Sequence, residues 1–230
     1  MVQLDIQESG VAISAAEEEN IEALRRWWDE NGKFLLLIVI VAAAGYGGWS
    51  FWQQSSASGR ATASDLYEEI LIAAQPLDVT QEPDAAVIVE LADQLMENHP
   101  GSIYARYGAL FSAQQSVQQG DLAAAQEVLQ WVVDNAQTSI IQRADEGLVL
   151  TATLRLGRVM LARGDPDRAL LLVNSVDPRS FEPGFHELRG DIYLVLDRPE
   201  DARDSWLAAQ DAGSVSDGLR MKLENLGGLN

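Results

Sequence analysis

The stretch Leu156–Val173, "LGRVMLARGDPDRALLLV", decides the fold, because its small, turn and apolar positions recur at matching spacing on either side. "ALFSAQQSVQQGDLAAAQEVLQWVV" (Ala109–Val133) aligns with it upstream, and "HELRGDIYLVLDRPEDARDSWLAA" (His186–Ala209) downstream. A small residue, Ala113, Gly157 or Gly190, is followed seven residues later by a turn: Gly120-Asp121, Gly164-Asp165 or Asp197-Arg198. Five residues beyond the turn's first residue comes Ala125, Ala169 or Ala202, and four further on comes Leu129, Val173 or Trp206. The spacing has a mechanical reason. Two antiparallel helices approach closely only where one presents a small side chain, and the residue between them must accept backbone angles that most side chains avoid. Pro166 and Pro199 open the second helix of a pair, where a missing amide hydrogen costs nothing.

The motif resembles the tetratricopeptide repeat, whose period is about 34 residues. The observed steps are 44 and 33 residues, so the first interval carries an insertion, which the pattern places in "AQTSIIQRADEGLV" (Ala136–Val149) as a lengthened first helix. A degenerate earlier hairpin is expected from Ala61 to Asn98, broken by the turn-prone "QPLDVTQEPD". A helix from about Ser216 to Leu226 is expected to cap the stack. From Ala61 on, no alternating strand pattern interrupts the helical one.

The front of the chain carries a different signal. Phe34 to Trp52 are nineteen residues without a charge, roughly 29 Å at helical rise and about the thickness of a bilayer's hydrocarbon core. Thirty-three residues, eight of them acidic, precede that run, which favours a retained span over a cleaved export signal. Tyr46, Trp49, Phe51 and Trp52 gather at its far end, where aromatic rings prefer the headgroup boundary. Arg25, Arg26 and Lys33 lie just before the span and only Arg60 soon after it, so the basic residues place the N-terminus in the cytoplasm and the bulk of the chain outside. The expected organisation is a disordered cytoplasmic tail at 1–16, a short cytoplasmic amphipathic helix at 17–32 stopping at Gly32, a transmembrane helix at 33–53, a linker at 54–60 and a repeat domain at 61–230. Ala43 with Gly47, and Ala44 with Gly48, form small-xxx-small pairs suited to helix packing in the membrane.

Charge and composition exclude several classes. Residues 60–230 hold 13 basic and 27 acidic side chains, a net charge of −14, which opposes the phosphate contacts that general nucleic-acid binding needs. The chain has no cysteine, so it forms no disulfide framework, thiolate zinc site or lipoprotein anchor. Its two histidines, His99 and His186, stand far apart and outside any HExxH pattern, and both read as structural. No GxSxG, Walker or GxGxxG motif occurs. The expectation is a protein without catalytic residues, cofactor or metal. Trp131, Tyr193 and Trp206 fall at helical core spacing.

Stacked helical hairpins bind protein segments in the groove lined by their first helices. The register places Tyr107, Leu110, Gln114 and Val117 there, then Thr151, Leu154, Arg158 and Leu161, then Glu187, Asp191 and Leu194. Only Arg158 is basic in that set, which disfavours recognition of an acidic C-terminal peptide.

The whole layout resembles the YfgM family, ancillary subunits of the bacterial SecYEG translocon. "NIEALRRWWDENGKFLLLIVIVAAAGYGGWSFWQ" (Asn20–Gln53) is similar to that family's opening, and "RLGRVMLARGDPDRAL" and "RGDIYLVLDRPEDARDSW" are similar to its repeats. The resemblance implies an all-α chain: a single N-terminal transmembrane helix, then a tetratricopeptide-like α-solenoid of about four helical hairpins with a C-terminal capping helix. It implies a single-pass protein of the bacterial inner membrane with a periplasmic repeat domain, associated with the SecYEG translocon and a PpiD-like membrane-anchored periplasmic chaperone, assisting hand-over of exported client proteins. The alternative from the residues alone is a membrane-tethered, self-associating scaffold or regulator without client contact.

Overall fold

A computed structural model of the protein describes residues 5–75, 83–135 and 146–227, with side chains from Ile21 on except at 23, 35, 52–57 and 227. Every regular element among these residues is helical. Two compact units divide the chain, Met1–Ser58 and Gly59–Asn230.

Helix α1, Asp5–Ala74, supplies the first unit and the opening of the second. It is helical from Asp5 onward, at Gly32 and throughout 54–60, where the sequence pattern suggests a tail, a stop and a linker. One helical glycine costs only about 1 kcal/mol relative to alanine, and at Gly32 the Trp28 side chain folds over the backbone one turn later. That local penalty is too small to end a helix flanked by strong formers. Among the described residues no single helix is long and apolar enough to cross a membrane; Leu24–Phe34 and Leu36–Phe51 qualify only together, with a bend of 43° between them. Each large apolar side chain described from Phe34 to Phe51 is about half exposed or more.

In the second unit, the end of α1 is followed by α2 (Ala85–Asn98), α3 (Ile103–Gln118), α4 (Leu122–Asp134), α5 (Glu146–Ala162), α6 (Pro166–Asn174), α7 (Glu182–Val195), α8 (Pro199–Asp211) and α9 (Asp217–Gly227). Helices α3/α4, α5/α6 and α7/α8 are the three hairpins of the aligned repeats. Their turns close identically. Gly120, Gly164 and Asp197 have φ of 81°, 82° and 56°, the left-handed conformation that ends helices and that glycine adopts without steric cost. The next amide, of Asp121, Asp165 or Arg198, donates back to the carbonyl of Ser116, Met160 or Tyr193 at 2.8, 3.0 and 2.9 Å. The carboxylates of Asp121 and Asp165 then cap the following helices by accepting from the amides of Ala124 and Arg168. Arg198 supplies no such cap.

The small positions do the packing that their spacing suggests. A Cβ on Gly157 would meet Leu188 Cδ2 at 2.9 Å and Val173 Cγ2 at 3.3 Å, and one on Gly190 would overlap the Trp206 indole. Ala113, Ala125, Ala169 and Ala202 are buried, as are Leu129, Val173 and Trp206. One continuous core joins α3 to α7. A second, around Ala63, Ile70, Ile88, Leu91 and Leu95, fixes the end of α1 against α2 and α3. This is the expected first hairpin, with α1 ending at Ala74 and α2 beginning at Ala85. The interruption at 76–82 and the proposed insertion at 136–145 lie outside the described residues, and α5 itself starts at Glu146. Helix α9 closes the stack by burying Leu219 against Ala202, Trp206 and Ala209.

Candidate protein-binding groove

A trough between α3 and α5 holds two adjacent cavities. In the first, of about 480 Å³, α3 supplies Tyr107, Leu110, Phe111 and Gln114, α5 supplies Gly147, Leu148, Thr151 and Arg155, and Phe181 borders it. In the second, of about 400 Å³, Ala113, Gln114, Val117 and Gln118 face Arg155, Arg158 and Val159 across Leu129. Gln114 and Arg155 line both. Tyr67 of α1 backs the trough with an aromatic cluster, its ring centroid 5.6 Å from Tyr104, 6.0 Å from Tyr107 and 6.2 Å from Phe111. Burial, and then the neighbouring Tyr107, push the Tyr67 phenol above its ordinary pKa, so it stays a neutral hydrogen-bonding group.

The structure thus brings together Tyr107, Leu110, Gln114, Val117, Thr151 and Arg158. Tyr107 and Val117 are exposed, whereas Leu110 is buried. The remaining register positions lie elsewhere. Leu154 leans on α7, its Cδ2 lying 3.0 Å from where a Cβ of Gly184 would be. Leu161 packs on the core, and Leu194 is exposed. Glu187 and Asp191 are gripped by Lys222 of α9, with Nζ at 2.9 Å from Glu187 Oε1 and 2.7 Å from Asp191 Oδ1. The Trp206 indole also donates to Asp191 Oδ1 at 3.1 Å and to the Glu187 carbonyl at 3.2 Å. Desolvation lowers the pKa of Lys222, but hydrogen bonds and charge from Asp191 and Glu187 together outweigh it and raise the value.

Among the groove residues that repeat register misses, Arg155 is the one that carries a charge. The aligned positions jump from Leu154 to Arg158, whereas one face of α5 runs through the half-buried Thr151 and the exposed Arg155 and Arg158 at spacings of four and three. That helical periodicity is the signal that finds it. Neither histidine joins the trough: the His99 amide terminates α2 on Leu95, and His186 Nδ1 sits 3.0 Å from Arg189 Nη1. Ala43, Ala44, Gly47 and Gly48 are exposed in the first unit, with open space where the Cβ atoms of Gly47 and Gly48 would stand. Among the described residues no group of three or more histidine, aspartate and glutamate side chains could hold a metal ion.

A tetratricopeptide repeat-like domain is thus the class that these hairpins define, and the chain belongs to that family, whose model matches residues 25–228. The match includes the apolar run as well as the repeats. An ancillary SecYEG translocon subunit of Haemophilus influenzae is 29% identical over 218 residues, covering 94% of this chain and 100% of the relative. Proteins of the same name from Aggregatibacter actinomycetemcomitans and Escherichia coli are 29% and 27% identical, covering 94% and 91% of this chain and 100% and 96% of the relatives. These matches bear out the resemblance to the YfgM family drawn from the opening and the repeats.

Proposed function

We propose that the chain is an ancillary subunit of the SecYEG translocon, held in the bacterial inner membrane by residues 33–53, with its repeat unit in the periplasm and its N-terminal segment in the cytoplasm. The observation that carries this reading is the similarity to proteins of that name across nearly their whole length, since repeats alone would point only to a superfamily. The exposed apolar side chains from Phe34 to Phe51 supply a surface that lipid would cover, and the basic residues before the run supply its orientation. Ala43, Ala44, Gly47 and Gly48 let a neighbouring membrane helix approach. The trough between α3 and α5 contacts protein segments: translocon components, a PpiD-like membrane-anchored chaperone, and exported clients during hand-over. The role is adaptor rather than enzyme.

Photocrosslinking residues at Ala43, Gly47, Gln114 and Arg158 in native membranes test this. Adducts with translocon subunits from the first pair, and with periplasmic proteins from the second, are the expected result. Adducts only with further copies of the chain would replace the adaptor by a self-associating scaffold.

A further inference from the structure

We propose that the trough between α3 and α5 selects an extended protein segment bearing two apolar side chains two positions apart with a carboxylate side chain beside them. This rests on the groove reading above and names the ligand chemistry. Charge distribution is the first argument. The residues from 60 on carry a net charge of −14, yet among the described residues no carboxylate lines either cavity and two guanidiniums do. Arg155 and Arg158 make no ion pair or hydrogen bond with another described residue. Elsewhere in the unit, Arg168, Arg179, Arg198 and Arg220 each pair with carboxylates. Glu146, next to the trough, is held by Arg179 at 3.2 Å. At physiological ionic strength charges beyond about 8 Å are largely screened, so the local pair outweighs the acidic surface once a ligand is seated.

Shape supplies the second argument. The α3 residues lining the two cavities are offset by about five positions, roughly 7–8 Å at helical rise. In an extended chain, side chains two apart on one face are separated by ~6.6–6.8 Å. Two such side chains therefore match the two cavities, one against Tyr107 and Phe111, the other against Val117 over Leu129 and Val159. The residue between them points to the opposite face of the extended segment, so its carboxylate meets Arg155 at the rim of the trough, where the long stem of a side chain that borders both cavities carries the guanidinium up beside the bound backbone. The selected group is a side-chain carboxylate within a segment, and no free chain terminus is required.

Fluorescence anisotropy on the full chain in phosphatidylcholine nanodiscs tests the proposal, with short labelled peptides blocked at both ends and centred on Leu-Asp-Leu, Leu-Lys-Leu or Gly-Asp-Gly. Leu-Asp-Leu is expected to bind at least about tenfold more tightly than either control, and more weakly as salt rises. In the double variant Arg155→Glu/Arg158→Glu the preference is expected to reverse toward Leu-Lys-Leu, a gain that a misfolded protein could not give. Equal binding of Leu-Asp-Leu and Leu-Lys-Leu, or an unchanged preference in the double variant, overturns the carboxylate selection and leaves the groove as a general peptide site. If no peptide binds while positions 43 and 47 still crosslink to translocon subunits, the segment-binding trough itself falls and the translocon role stands.

Discussion

Gly190→Ala puts one methyl group between α7 and α8 where the Trp206 indole already lies. On propensity alone the change gains about 1 kcal/mol, the difference between glycine and alanine inside a helix. Against it stands the overlap. Trp206 is 1% exposed, and overpacking a filled core costs typically ~1–3 kcal/mol. The indole is also tethered, because its N–H donates to Asp191 and to the Glu187 carbonyl. Moving it aside strands a buried donor, at about 1–3 kcal/mol. The net loss is therefore about 1–5 kcal/mol, centred near 3. Gly157→Ala provides the contrast: its close neighbours are methyl ends of Leu188 and Val173, so strain and propensity gain cancel to within about 1 kcal/mol. Urea unfolding of the detergent-solubilised chain, followed by far-ultraviolet circular dichroism, measures both. In a Trp206→Leu background the Gly190→Ala penalty should largely vanish, giving a coupling of comparable size. A parent-like midpoint for Gly190→Ala, or the same penalty with and without the indole, would refute the close-approach account of the small positions.

Asp121→Ala removes the carboxylate that caps α4 and should lower stability by about 1 kcal/mol in the same titration. Lys222→Met leaves Glu187 and Asp191 without their cation and should loosen α9, read as faster proteolysis near Ser216. Because the folded pKa of Lys222 is raised, its stabilisation is complete below the ordinary lysine value of about 10.4 and disappears as pH climbs through the folded value; the stability gap between parent and variant should hold at neutral pH and close only in strong alkali. Burial first, then Arg189, lower the pKa of His186, only partly offset by Glu182. The unfolded chain then takes up that proton more readily, so the His186-dependent part of stability is full above about pH 6.5 and lost as pH falls through the folded value; His186→Gln should flatten the decline in unfolding midpoint between neutral and mildly acid pH. Since the chain has no cysteine, single variants Asn31→Cys and Ser214→Cys should report sidedness without background: an impermeant maleimide is expected to label position 214 from the periplasm and position 31 only after the membrane is opened.

The hairpins were legible because their constraints are local and steric. A turn needs a left-handed residue, and a close crossing needs a missing side chain, so Gly120, Gly164, Gly157 and Gly190 announce themselves at fixed spacing. Asp197 fits the same rule less visibly, as one of the few non-glycine residues that adopt positive φ there. Helix ends in the first unit were harder to read. A stop at Gly32 and a linker at 54–60 rest on propensities of about 1 kcal/mol per residue, and such preferences do not fix where a long helix ends. A single register carried across three repeats assumes equal rotation of each first helix about its axis. That assumption places Leu154 beside Leu110, whereas in the structure Leu154 leans on Gly184 and Arg155 faces the trough. It also takes no account of α9, whose Lys222 occupies the acidic pair that the third repeat presents.

The unequal repeat steps explain where the trough opens. Between Gly157 and Gly190 the step is 33 residues, close to the family period, and α5 and α7 pack directly, with Leu188 against Gly157 and Leu154 against Gly184. Between Ala113 and Gly157 the step is 44, and there the two first helices leave both cavities between them. A longer connection relaxes the demand that successive first helices touch, because neither glycine contact that joins α5 to α7 has a counterpart joining α3 to α5. The space is then bounded by groups that long side chains bring from either side, Tyr107 and Val117 from α3, Arg155 and Arg158 from α5. Apolar side chains of a bound segment would enter it with their backbone above the trough. One irregularity in the repeat thereby opens, beside two arginines of α5, the volume on which the proposed segment binding depends.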